Sequence, residues 1–194
     1  TIHPEELKKN LTDRGAGAYV SFEGWIRDQN DGQEVLRLEY EVYEPVAVAE
    51  GKKVIAEAMQ KFPLLHVNCV HRSGLLEIGD CAVWVGVTSA HRDEAFSACR
   101  YIIDQVKVRL PIWKKEHYVA GHSDWVNCER CVTHGHQHPQ AEHVVHGQSV
   151  LQAVHAAGVL GDVAADRAGD LARGIGRVVE VVGRSGFADG EVAH

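Results

Sequence analysis

Residues 106–116 read VKVRLPIWKKE and set four cations, Lys107, Arg109, Lys114 and Lys115, and one acid, Glu116, around a single proline. Amines gathered at a chain break can do chemistry that dispersed ones cannot. An ammonium held close to a second positive charge loses its proton more readily, and a neutral lysine amine is a nucleophile or a general base. The second amine, still charged, can hold an anion. Spacing alone does not say which of Lys107 and Lys114 takes which part. Cations in the last turn of a helix also stabilise it by about 0.3–1 kcal/mol, which accounts for Lys107 and Arg109 without invoking function. It leaves Lys114, Lys115 and Glu116, which follow the break, unexplained.

Other residues suit an anionic ligand. Ser89-Ala90-His91-Arg92 stands where an apolar strand hands over to a helix, so His91 and Arg92 lie beside backbone N–H groups at a positive helix end. Arg27 in FEGWIRDQN and Arg72 in VHRSG each close an apolar run before a polar one, as ligand-facing and ordinary surface arginines both do. Cys128 and Cys131 form a CxxC pair followed by His134, His136, His138, His143 and His146. These are zinc-type ligands, with Cys128, Cys131, His134 and His138 as the candidate set, set against a histidine-rich tail that binds metal only adventitiously.

No P-loop, no GxGxxG after a strand, no HExxH and no GxSxG occurs, so nucleotide hydrolysis, hydride transfer, zinc proteolysis and serine hydrolysis lack their usual support. A net charge of −7 argues against general nucleic-acid binding, so any positive site must be local. The N-terminal TIHPEELKKN has no apolar core and no apolar run approaches the length of a membrane span. With five cysteines, an odd number, and no disulfide-like framework, the expected compartment is the cytoplasm.

The elements that must position these residues are legible in outline. Pro4 and two acids start a short helix over 4–13, and GAYVSFEGWIRD reads as a strand followed by the loop DQNDGQ. EVLRLEYEVYE alternates, with Leu36, Leu38, Tyr40 and Val42 expected on the buried face. Residues 46–62 have helical spacing despite Gly51. LLHVNCVHRSG and CAVWVGVTSA read as adjacent strands. Residues 92–109 carry a clear helical stripe that Pro111 stops, and PIWKKEHYVA with DWVNC forms a closing hairpin. This interleaving predicts an α+β fold with mixed or antiparallel sheets and flanking helices.

The blocks FEGWIRDQN, HRSGLLEIGD, VGVTSAHRDEAF, DQVKVRLPIWKKE and DWVNC resemble, in order and spacing, the MoaE family, the large catalytic subunits of molybdopterin synthase. The resemblance covers about residues 5–129 and implies an α/β hammerhead-like fold. It implies a sulfur transferase that converts cyclic pyranopterin monophosphate (precursor Z) to molybdopterin in molybdenum cofactor biosynthesis. Sulfur would come from the C-terminal Gly-Gly thiocarboxylate of a small ubiquitin-like (MoaD-type) subunit, within a heterotetramer built on a large-subunit dimer. By the same resemblance Lys107 and Lys114 are the catalytic lysines, and Arg27, His91, Arg92 and Phe22 bind substrate. His91 and Arg92 would reach into the partner copy's site, with Glu116 and Arg109 in supporting roles. No cofactor is required.

Two domains are expected: a catalytic domain over 1–129, and a His-rich, then Ala/Gly/Val-rich extension over 130–194. Residues 147–183 could form a weakly amphipathic helix or have little order, and the extension is expected to be dispensable for sulfur transfer. The chain closes on GEVAH rather than Gly-Gly, so the sulfur carrier is expected to be a separate polypeptide. The competing reading is a non-catalytic module that binds a ubiquitin-like partner or a metal ion.

Overall fold

The computed structural model of the protein describes residues 1–126 and 178–184. Among the described residues three helices, α1 (Pro4–Lys9), α2 (Glu44–Lys61) and α3 (Arg92–Arg109), are interleaved with nine strands, all paired antiparallel. The first sheet runs β1 (Ala18–Trp25), β6 (Cys81–Ser89), β4 (Leu64–Arg72), β9 (Val178–Arg184). The second runs β2 (Gln29–Asn30), β3 (Gln33–Val42), β7 (Ile112–Tyr118), β8 (Ser123–Val126), with β5 (Gly74–Glu77) also on β3. The α+β expectation and the helix over 92–109 agree with these elements.

Burial explains the first sheet. β6 is apolar at nearly every position because both its faces are covered, which is why CAVWVGVTS does not alternate. On one face α2 and α3 pack Val54, Ile55, Ile102 and Val106 onto Val67, Cys69, Val83 and Val85. On the other, Ile2 and Leu11 cover Val70 and Trp84. The two helices are tied by Arg109, whose guanidinium reaches Glu50 (Nε–Oε1 2.8 Å) and Glu57 (Nη2–Oε1 3.0 Å).

Three expectations need correction. First, the buried face of β3 is not simply its even-numbered residues. Pairing with β7 slips between Val35 and Arg37, and this bulge turns Val35 inward while Leu36 is 54% exposed. Leu38 and Val42 remain buried, and Tyr40 is half-buried, as alternation predicts.

Second, DQNDGQ is not a plain loop. Gln29–Asn30 pairs back onto Gln33–Glu34 around Asp31-Gly32, whose φ angles of 49° and 78° are those of a two-residue hairpin turn.

Third, VVEVVGR, at the end of the stretch read as a weak helix or as poorly ordered, is strand β9 on the edge of β4. Its alternation buries Val179 and Val181 in the main core. Asn68 donates a hydrogen bond to Glu180 across the pair at 2.7 Å. Gly51, the residue that argued against a helix, is what lets β9 approach: a Cβ there would lie 2.9 Å from a Val181 methyl. The sequence boundary at 129 therefore does not divide the sheet, because part of the extension completes it.

Candidate active site

Pro111 ends α3 and the chain turns at once into β7, which runs antiparallel to β3 with Lys114 opposite Tyr40 and Glu116 opposite Leu38. Successive strand residues face opposite ways, so Lys114, Glu116 and Tyr118 share one buried face and Trp113, Lys115 and His117 the other. On α3, Lys107 and Arg109 are two residues apart and so project to different sides. The four cations of the opening motif are thereby sorted. Lys107 and Lys114 line one cleft, Arg109 turns to the carboxylates of α2, and Lys115 lies over the Trp125 ring at 5.7 Å.

The cleft has a volume of about 1090 Å3. Its walls are the end of β1 with Trp25 and Ile26, the β2–β3 hairpin, the β3 residues Leu38 and Tyr40, and Ile103, Val106 and Lys107 of α3. Arg27, just past β1, joins them and donates to Asn30 Oδ1 at 3.2 Å. Half of the lining is apolar, and three cations, Arg27, Lys107 and Lys114, are part of it.

The two lysines differ in their surroundings. Lys114 is 6% exposed and Glu116 2%, with Nζ to Oε1 at 3.0 Å, and Tyr118 donates to the other carboxylate oxygen at 2.7 Å. Burial, and then donation to Glu116, raise the Tyr118 hydroxyl's pKa, so it stays a donor. Lys107 is half-buried and has no carboxylate partner among the described residues.

The remaining candidates are distributed as follows. His91 and Arg92 are exposed at the start of α3, where Ser89 Oγ accepts from the His91 N–H at 3.1 Å. Fifteen residues of helix separate Arg92 from Lys107, about 22 Å at 1.5 Å per residue, so one chain does not bring them together. Phe22 packs against the main core and is not part of the cleft wall. Arg72 is buried and paired with Asp80 at 3.1 Å. Cys128, Cys131, His134 and His138 lie outside the described residues. Among the described residues no cluster of three or more His, Cys, Asp or Glu could hold a metal. Burial pushes the Cys69 thiol up to about 12 and the Cys99 thiol to about 11, so neither is a nucleophile at neutral pH.

Sequence reasoning missed Tyr118, Tyr40 and His71 as cleft or near-cleft groups. The same alternation that pairs Lys114 with Glu116 reaches Tyr118 two residues on. His71 had no such signal, because it sits inside the apolar run LLHVNCVHR.

Comparison with known proteins follows the same lines. The family model described as MoaE protein matches residues 1–109. The chain is 41% identical over 132 residues to a molybdopterin synthase catalytic subunit from Nostoc, covering 68% of this chain and 80% of that one. A Pseudomonas aeruginosa protein of the same name is 46% identical over 107 residues, 55% of this chain and 71% of its own. Among solved structures, molybdopterin synthase from Staphylococcus aureus superimposes with a TM-score of 0.60 at 36% identity, over 64% of this chain and 90% of that one. Since the family model matches more than half of this chain, the chain belongs to the MoaE family.

Proposed function

We propose that this chain is the catalytic subunit of a molybdopterin synthase, transferring sulfur from the C-terminal thiocarboxylate of a small ubiquitin-like subunit to a cyclic pterin phosphate. The observation that carries the reading is the convergence of Lys107 and Lys114 on one cleft that also has an apolar, aromatic wall. Both reactants are anions. A site that offers Lys107 and Arg27 without carboxylate partners among the described residues, and Lys114 already balanced by Glu116, has two positive charges for two incoming negative ones.

The division of labour follows from the partners. Lys114, ion-paired and buried, is the fixed cation that orients bound anion through its remaining N–H donors. Lys107, with no counter-ion among the described residues, is the amine that exchanges a proton or receives the acyl end as sulfur leaves it. Glu116 and Tyr118 hold Lys114 in place.

The small subunit enters as a separate chain whose tail reaches the cleft beside Trp25, which is 65% exposed at its wall. The name shared by the relatives, catalytic subunit, supports such an assembly. His91 and Arg92, exposed and remote from Lys107 in one chain, complete the site of the second copy in a homodimer. The reading calls on no resident metal or redox cofactor. The free cysteines Cys69, Cys81 and Cys99 support a reducing compartment, the cytoplasm. No described helix is long and apolar enough to cross a membrane.

The test is reconstitution: purified chain, thiocarboxylated small subunit and the cyclic pterin phosphate are mixed and the dithiolene product is measured. Product that depends on all three components is expected, and binding of the small subunit with no product would favour a non-catalytic docking module.

A further inference from the structure

One buried titratable group in the cleft has no part in the scheme above. His71 ends the apolar run of β4, pairs across the sheet with Val83 of β6, and lines the cleft beside it on the face that α3 covers. From the opposite wall Ile103, Val106 and Lys107 of α3 face the same space. The imidazole is fixed on two sides. Its Nδ1 lies 2.7 Å from the Arg72 carbonyl oxygen, and its ring meets the Tyr40 ring edge-on with centroids 4.9 Å apart. Arg72 is itself held by Asp80.

A carbonyl oxygen only accepts, so Nδ1 must carry the proton, and in the neutral ring Nε2 is then a bare acceptor. Burial, opposed by the bond to the Arg72 carbonyl and reinforced by the positive charge of Lys107, brings the imidazole pKa down to about 4, so the ring is neutral at pH 7. That pairing of groups has a chemical logic. A carboxylate in this position would cancel the charge that attracts the anionic reactants, and an imidazolium would repel the ammonium. A neutral ring in one tautomer does neither, yet still offers a lone pair.

We propose that His71 is a positioning residue, whose unprotonated Nε2 accepts a hydrogen bond from the Lys107 amine and aims it at the reacting groups without neutralising it. The proposal rests on the sulfur-transfer reading for its consequence in turnover; the structure supplies the shared cleft wall and the fixed Nδ1, and the bond from Lys107 to Nε2 is the step inferred. His71 needs no direct contact with either reactant to act in this way.

Two measurements on the full-length chain separate the proposal from the functional reading. The first is nitrogen-15 NMR of the histidine side chains at pH 7. His71 is expected as the Nδ1–H tautomer, with an Nε2 resonance that moves when Lys107→Met removes the donor while the Nδ1 resonance stays in place. An Nε2–H tautomer, or an Nε2 resonance indifferent to Lys107→Met, overturns the proposal even if no turnover is ever detected. The second is kinetics in the reconstituted system. His71→Phe keeps the ring's bulk without the acceptor and is expected to lower kcat by about tenfold, the worth of one hydrogen bond, with little change in KM for the pterin phosphate. His71→Gln, which restores an acceptor at the ε position, recovers most of that loss. Equal kcat in the Phe and Gln variants, or a loss confined to KM, contradicts a positioning role. A wild-type chain with no activity would sink the sulfur-transfer reading and leave the NMR result to decide this one.

Discussion

Lys114 and Glu116 lie two residues apart on the inward face of β7, with ammonium and carboxylate 3.0 Å apart and almost no solvent between them and the core. Such a pair is delicate: its members stabilise each other, and removing one strands the other. Glu116→Ala is expected to lower stability by about 3–5 kcal/mol, the usual consequence of leaving a buried charge uncompensated. Glu116→Gln, which still offers Lys114 one acceptor oxygen and turns an amide N–H toward the Tyr118 oxygen, should lower it less than alanine does. Denaturant midpoints for the two variants check this, and equal midpoints would mean that Lys114 finds another partner.

The acid limb of stability should carry the signature of His71. Its pKa is about 4 in the fold against an ordinary 6.5, so between those values the unfolded chain binds a proton that the folded chain refuses. Stability contributed by the neutral ring is fully present above pH 6.5 and is lost as pH falls toward 4, by about 3 kcal/mol if the full shift is realised. Tyr40, Arg72 and Lys107 are the polar groups around the ring. The carboxylates of Asp13, Glu50 and Glu57, each lowered by hydrogen bonds to Gly15 and His66 or to Arg109, lose their contribution only at lower pH. Urea melts from pH 7 to 4.5 should therefore slope downward in the native chain and flatten in His71→Gln.

Strand β9 makes Val178–Arg184 part of the domain. Val181 sits opposite Cys69 in the core beneath α2, so Val181→Asp is expected to lower stability by roughly 2–4 kcal/mol. Hydrogen exchange should quicken at the β4 amides that face β9. An unchanged denaturant midpoint would return the extension to the dispensable status that its composition suggests.

The distance between Arg92 and Lys107 makes a prediction about assembly. If each site borrows His91 and Arg92 from a second copy, then Lys107→Ala and Arg92→Ala are each inactive alone. Mixed and allowed to exchange subunits, they should recover about a quarter of wild-type turnover, because half the dimers are hybrids with one intact site each. No recovery, with exchange verified, would place the whole site within one chain.

Much of this was legible in the sequence, and the misses have causes. The α3 stripe and the break at Pro111 were legible, and helix and strand periods fix side-chain direction locally, but the sequence reading gathered the four cations around the break without turning Arg109 toward α2 or Lys115 toward Trp125. Leu36 was misassigned because a bulge is set by strand pairing, not by the strand's own pattern. The hairpin at Asp31-Gly32 was overlooked although Asp-Gly is a strong turn signal, since its strands are too short to alternate. β9 was missed because VVEVVGR stands among Ala- and Gly-rich residues and finds its partner, β4, more than a hundred residues away. His71 was missed because only the carbonyl of its neighbour, Arg72, fixes its tautomer.

The central claim is that Lys107 and Lys114 act together on two anionic reactants in one cleft. Single-turnover dithiolene formation by the native chain, Lys107→Ala and Lys114→Ala, each with thiocarboxylated small subunit and pterin phosphate at saturation, tests it most directly. The account predicts that each variant folds, binds the small subunit and forms product at least about 100-fold more slowly. Native rates in either variant would contradict it.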